Sequence, residues 1–144
     1  MTEVRPARDP TEVWAALALR RAVFCDEQGV SIEEELDGRD DGALHLVAVE
    51  GGEVVGTCRL VRDGRDVTLG RMAVARAARG RGLGRALLDE AERRAGELGG
   101  HGIVLAAQVG ARGLYERAGY EARGDVFLDA GIEHVTMAKA LAPR

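Results

Sequence analysis

The spacing of apolar positions changes period several times along the chain, and each change predicts an element. Asp9-Pro10-Thr11-Glu12 reads as a helix start, with Asp9 as N-cap, Pro10 at the first helical position and Glu12 reaching back. Val13, Ala16, Leu17, Arg20 and Val23 then trace a mostly apolar stripe toward Phe24. Residues 43–49 alternate and carry enough β-branched side chains for a strand. Gly51-Gly52 predicts a hairpin turn, 54–61 the returning strand, Asp63-Gly64 a second turn and 67–74 a third strand. These three strands are expected to form an antiparallel meander. A helical period returns over 83–98, where Leu83, Leu87, Ala91, Ala95 and Leu98 define a buried face and Gly99 a C-terminal cap. Residues 103–107 make a short buried strand, so this stretch reads as strand–helix–strand. A second helix carries Ala111, Leu114, Tyr115 and Ala118 and stops at Gly119, and 132–138 reads as a last strand. No internal repeat or linker interrupts the pattern, which suits one domain over residues 1–144.

Composition narrows the class. At 46% hydrophobic residues the chain can build a packed core without staples. A net charge of −4 and five aromatic residues weigh against a nucleic-acid binder, which needs a basic face and stacking surfaces. Residues 1–5 lack the apolar stretch of a signal peptide, and no apolar run approaches the ~20 residues of a membrane span. Cys25 and Cys58 show no metal or redox spacing, so two reduced core thiols in a cytoplasmic protein are expected. His45, His101 and His134 lack metal-ligand spacing too, which points away from a metal. Between 26 and 41, eight acidic residues face a single base, Arg39, in a connection with room for a short helix. Such a run is commonly a solvated loop, but it also suits a cationic amine by electrostatic attraction.

Candidate chemistry concentrates at Arg79-Gly80-Arg81-Gly82-Leu83-Gly84, between a strand and an amphipathic helix. A helix opens with backbone N–H groups that have no intrahelical partner, and its dipole makes that end partially positive. Glycines remove the side chains that would hold a phosphate away, and Arg79, Arg81 and Arg85 add positive charge. The plain alternative is a turn that lets the helix pack close to the strand. The turn is not a nucleoside-triphosphate loop, because it lacks the closing Gly-Lys-Ser/Thr. Nor is it a dinucleotide fingerprint: Arg85 or Leu87 stands where a small residue is needed, and the acidic ribose ligand is missing.

Arg79-x-x-Gly82-x-Gly84 resembles the acyl-CoA pyrophosphate motif of the GNAT N-acetyltransferase superfamily. The resemblance continues upstream through Leu69-Gly70-Arg71-Met72-Ala73-Val74 and downstream through Ala111-x-x-Leu114-Tyr115-Glu116-x-x-Gly119-Tyr120. Leu19-Arg20-x-x-Val23-Phe24-x-x-Glu27-Gln28, Glu35-x-Asp37-x-x-Asp40, Ala43-x-His45 and Gly131-Ile132-x-His134-Val135-x-Met137 resemble its ElaA-like branch. Together these span almost the whole chain.

The resemblance implies a mixed α/β fold: a central, mostly antiparallel β-sheet with a splay between the fourth and fifth strands, flanked by helices. It implies acetyl-CoA as cosubstrate, without a metal, and transfer of the acetyl group to a primary amine of a small molecule or an exposed amino group by direct attack. Met72, Ala73 and Val74 would meet the pantetheine arm. A backbone N–H near Ala73 or Val74 would stabilise the oxyanion. Residues Arg79, Gly80, Arg81, Gly82, Leu83, Gly84 and Arg85 would hold the pyrophosphate. Gln108 stands where many members carry asparagine, and its amide can still donate to the arm. Tyr115 matches the tyrosine that protonates or hydrogen-bonds the departing thiolate, although its place on an apolar stripe also suits a core aromatic. Glu27, Glu35, Asp37, Asp40 and His45 are candidate bases by position, and Glu35 and His45 stand with Tyr115 as the catalytic candidates. Family members often pair, which makes a homodimer a candidate. Two other readings remain: an acyl-homoserine-lactone-synthase-like enzyme, and an acyl-CoA-binding sensor without turnover.

Overall fold

The computed structural model describes residues 2–142. Its seven strands are β1 (Thr2–Pro6), β2 (Leu44–Glu50), β3 (Glu53–Asp63), β4 (Asp66–Val74), β5 (Gly102–Gln108), β6 (Glu121–Asp129) and β7 (Ile132–Ala140). They form one sheet in the order β1-β2-β3-β4-β5-β7-β6. The β4–β5 pair is parallel; every other neighbouring pair is antiparallel. Helices α1 (Pro10–Arg20), α2 (Ile32–Glu35), α3 (Leu83–Glu97) and α4 (Arg112–Arg117) complete the fold. No described helix is long and apolar enough to cross a membrane.

Local chemistry explains the boundaries. The Asp9 carboxylate accepts the Glu12 N–H at 2.9 Å, with Pro10 in the first turn of α1. Glu12 reaches back to the Arg8 N–H, one residue further than a capping box would take it. α1 continues directly into a π-helical segment, Arg21–Glu27, a rare geometry that often marks functional sites. Ser31 caps α2 by accepting the Glu34 N–H at 3.2 Å.

The sheet has two distinct faces, because successive strand residues point to opposite sides. A Cβ added at Gly56 would lie 3.1 Å from Leu87, so the even positions of β3 face α3. There Leu46, Cys58, Leu60, Val67, Leu69, Ile103, Leu105 and Met137 pack with Leu87, Leu88 and Ala91 as the main core. The odd positions Thr57 and Arg59 face the α1 side. Arg20, on the apolar stripe of α1, is only 1% exposed and is received there by carboxylates.

The meander comes apart from β5 at one place. β4 pairs with β5 only from Asp66–Gly102 to Leu69–Leu105. On its other side, Thr57 pairs with Ala73 but Arg59 with Gly70, so Arg71 and Met72 together oppose Cys58. This is a β-bulge, and Arg71 sits in it at φ 53°, a left-handed conformation rare for a side chain of its size. The bulge bends β4 away just where its ladder with β5 stops.

Candidate active site

The gap between β4 and β5 opens into a cavity of about 390 Å³. Gly70, Arg71 and Met72 line it from β4, Ala106 and Gln108 from β5, and Tyr115 from α4. Phe24 and Gln28, from the π-helical segment and its cap, close one side. Ala130, Ile132 and His134 close another, from the β6–β7 turn and β7. Beyond Met72 the strand continues through Ala73 and Val74 to the glycine turn, outside this cavity.

The turn is open. Gly80 and Gly82 have φ of 79° and 82°, and a Cβ built on either would meet nothing within 4 Å. Gly82 is the N-cap of α3 and offers no side-chain cap. The first bond into the helix runs from Ala86 N–H to the Gly82 carbonyl at 3.0 Å, which leaves Leu83, Gly84 and Arg85 N–H without an intrahelical partner. A diphosphate fits this cradle, both sterically and by donor set.

The three arginines are not free charges. Arg79 donates to the Val74 carbonyl at 3.0 Å and pairs with Glu27 at 2.9 Å. Arg81 pairs with Glu50 at 3.0 Å, and Arg85 with Asp89 at 3.0 Å. The positive charge expected here is locally compensated by carboxylates on the half-exposed surface.

Tyr115 is 9% exposed, and its O–H points to the Met72 sulfur at 3.8 Å, a weak acceptor. Burial, with a smaller contribution from the Cys58 thiol, pushes the phenol up to about 12. Gln108 donates to the Gln28 amide oxygen at 2.8 Å, which ties β5 to the π-helical cap. The base candidates fare differently. Glu35 is 3% exposed and locked to Arg20 at 2.7 Å, with Arg71 at 3.4 Å. His45 is 7% exposed, its Nε2 at 3.0 Å from the Asp40 carbonyl. Neither lines the cavity.

The structure places the catalytic candidates Glu35 and His45 in the buried support beneath the site, apart from the residues that line the cavity. Asp40 bridges Arg20 at 2.7 Å and Arg59 at 3.0 Å, and Asp37 bridges Arg59 and Arg71. Asp37 does line the cavity, but the hydrogen bond from Arg59 holds its carboxyl well below the usual carboxylate range, which makes it a poor proton acceptor. Arg71 also donates to the main-chain carbonyl of Glu35 at 3.0 Å, clamping the acidic connection onto the bulge. Glu27 is held by Arg79. Cys58 is buried, its thiol raised to about 12 by desolvation, whereas Cys25 is partly exposed and not in the core as expected.

His134 was not singled out for chemistry by its sequence context. It lines the cavity next to Gln108, its cross-strand partner. Its signal in the sequence is the stretch Gly131-Ile132-x-His134-Val135-x-Met137, whose place beside the cavity only the sheet register reveals.

The parallel β4–β5 pair that opens beside the glycine N-cap of α3 matches the splay and the turn that the resemblance to the GNAT superfamily implies. A family model described as the acetyltransferase (GNAT) domain matches residues 9–141. The uncharacterised N-acetyltransferase YjcF of Bacillus subtilis is 34% identical over 135 residues, 92% of this chain and 96% of that protein. The crystal structure of a Lactobacillus plantarum protein described as an N-acetyltransferase superposes with a TM-score of 0.90 at 30% identity, covering 98% of this chain and 99% of the other. Escherichia coli ElaA superposes with a TM-score of 0.86 at 25% identity, covering 96% and 99%. The chain belongs to the GNAT acetyltransferase family, and is an acyltransferase.

Proposed function

We propose that this protein transfers the acetyl group of acetyl-CoA to a primary amine by direct attack, without a covalent enzyme intermediate. The observation that carries the reading is the β4–β5 gap, which opens into the cavity, with β4 leading on to the start of α3, where no side chain caps the helix. Gly80 to Arg85 would grip the diphosphate through main-chain N–H groups. Met72, Ala73 and Val74, with Gln108, would meet the pantetheine amides along strand edges that no ladder occupies. An N–H near Ala73 or Val74 would stabilise the developing oxyanion. Tyr115 would donate a hydrogen bond to the departing sulfur. Positioning supplies much of the acceleration, as direct transfer requires.

A cationic acceptor fits best. Glu34 and Asp129 line the cavity and carry negative charge that no arginine of the buried cluster neutralises. The test is release of free thiol from acetyl-CoA across a panel of small amines and amino-terminal peptides. Thiol that rises with particular amines, matched by acetylated product in mass spectrometry, is the expected result. Tight acetyl-CoA binding with no productive amine would replace the reading with that of a sensor.

A further inference from the structure

We infer that His134 accepts the proton that the amine must lose. This rests on the acetyl-transfer reading above and assigns the base that reading leaves open. Three features of the geometry carry it.

The first is tautomer. His134 Nδ1 lies 2.7 Å from the carbonyl oxygen of Ile132. A carbonyl can only accept, so Nδ1 carries the hydrogen. In the neutral ring Nε2 then holds the lone pair. A main-chain partner two residues away fixes this choice as part of the strand itself, the kind of bond that normally sets which imidazole nitrogen reacts.

The second is placement. On β7, His134 is registered between Gln108 of β5 and Phe127 of β6. Directly opposed strand residues share a face, and Gln108 and His134 both line the cavity that Tyr115 lines from α4. The Phe127 ring stacks on the imidazole at 5.9 Å between centroids and 25° between planes. The ring is thus held on one side by β6 and presented to the cavity on the other.

The third is elimination among the neighbours. Charged groups that line the same cavity are Glu34, Asp37, Asp129, Arg39, Arg59 and Arg71. Asp37 is committed to Arg59 and Arg71. Glu34 accepts the Ser31 hydroxyl at 3.0 Å, and Asp129 lies on the exposed end of β6. These carboxylates draw in a cation, whereas a neutral imidazole is the group best matched to taking a proton near neutral pH.

The balance is simple. One C–N bond forms and the thioester C–S bond breaks. Two protons leave the ammonium nitrogen of the acceptor. One goes to His134 Nε2 and then to solvent; the other ends on the sulfur as free coenzyme A thiol.

The experiment compares wild type with His134→Gln, using the aliphatic amine turned over best in the panel and methoxyamine, which is already neutral at pH 7. For the aliphatic amine, kcat/KM at pH 7 should fall about a hundredfold. The acid limb of the wild-type pH profile should vanish, and acetyl-CoA affinity by calorimetry should stay within about twofold. Methoxyamine should lose far less, because it needs no base before attack. Imidazole added to His134→Ala should restore part of the rate. An unchanged limb in His134→Gln, or equal losses for both nucleophiles, would overturn the proposal. Nitrogen-15 spectra of the wild-type imidazole provide a readout that needs no turnover: Nδ1–H is expected, and an Nε2–H tautomer would overturn it. If no amine reacts at all, the acetyl-transfer reading fails, while these spectra still decide the tautomer.

Discussion

Tyr115 shows how a side chain of expected identity takes on an unexpected chemical character. An ordinary phenol, near pKa 10, is a plausible proton donor to a thiolate whose conjugate acid lies near 8.5. Buried against Met72 and the core, Tyr115 is pushed up to about 12. Full transfer to sulfur is disfavoured by this shift. In the proposed reaction Tyr115 would instead hold the leaving sulfur with a hydrogen bond while the proton arrives from the nitrogen. Tyr115→Phe is therefore expected to lower kcat about tenfold to a hundredfold, with acetyl-CoA affinity unchanged by calorimetry. The wild-type profile should show no alkaline loss from this phenol below about pH 11. Wild-type kcat in the variant, with chemistry shown to limit the rate, removes Tyr115 from the reaction.

At the scale of elements, the junction of β4 and α3 carries the proposed binding of the diphosphate. Half-exposed ion pairs such as Arg81–Glu50 and Arg85–Asp89 are screened by solvent, so exchanging a carboxylate for a diphosphate costs little. Among the described residues, the main-chain donors at the start of α3 have no such alternative partner. Gly82→Asp places a like charge there and forces a Cβ into a left-handed conformation at φ 82°. Acetyl-CoA should bind at least about a hundredfold more weakly, roughly 2.7 kcal/mol, with the circular dichroism spectrum retained. Equal affinity in the two proteins removes the cradle. This junction was legible in the chain because glycines and arginines flank a strong 3.6-residue period, and so was the meander, where β2, β3 and β4 alternate between two packed faces. β6 was not legible: all nine of its residues are exposed, so no buried face imprints a pattern on them. β1 was not legible either, with Glu3, Arg5 and Pro6 masking Val4 on an edge strand. The π-helical segment left no trace, since periodicity cannot separate a widened turn from an α-helix. Tyr115 and Gln108 could be found by motif, but which carboxylates face the cavity depends on partners twenty or more residues apart, as in Arg59–Asp37 and Arg71–Glu35.

Over the whole molecule, the acidic connection proves to be a fastener. Arg20, Arg59 and Arg71 meet Glu35, Asp37 and Asp40, three positive charges against three negative, and join α1, β3 and the bulge of β4 to residues 34–40. Burial alone would raise the Asp40 carboxyl, but hydrogen bonds from Arg20 and Arg59 outweigh it, and Asp37 is lowered chiefly by Arg59. Both folded values lie below the unfolded value of about 3.9. Their stabilisation is therefore complete above that value and is lost as pH falls through the folded values. Urea midpoints should hold between pH 7 and 5 and drop below about pH 4. Glu35→Gln, which leaves buried Arg20 short of a carboxylate, should already be about 3 kcal/mol less stable at pH 7. A midpoint that is flat from pH 5 to 3 contradicts this account. Held by that fastener, Arg71 keeps β4 bent from β5 in the resting protein. An extended amide chain that enters the cleft therefore breaks no interstrand bond, each of which would subtract about 1 kcal/mol from its affinity. The opening belongs to the folded protein itself, so the arm of the proposed cosubstrate would meet it as a strand meets a waiting sheet edge.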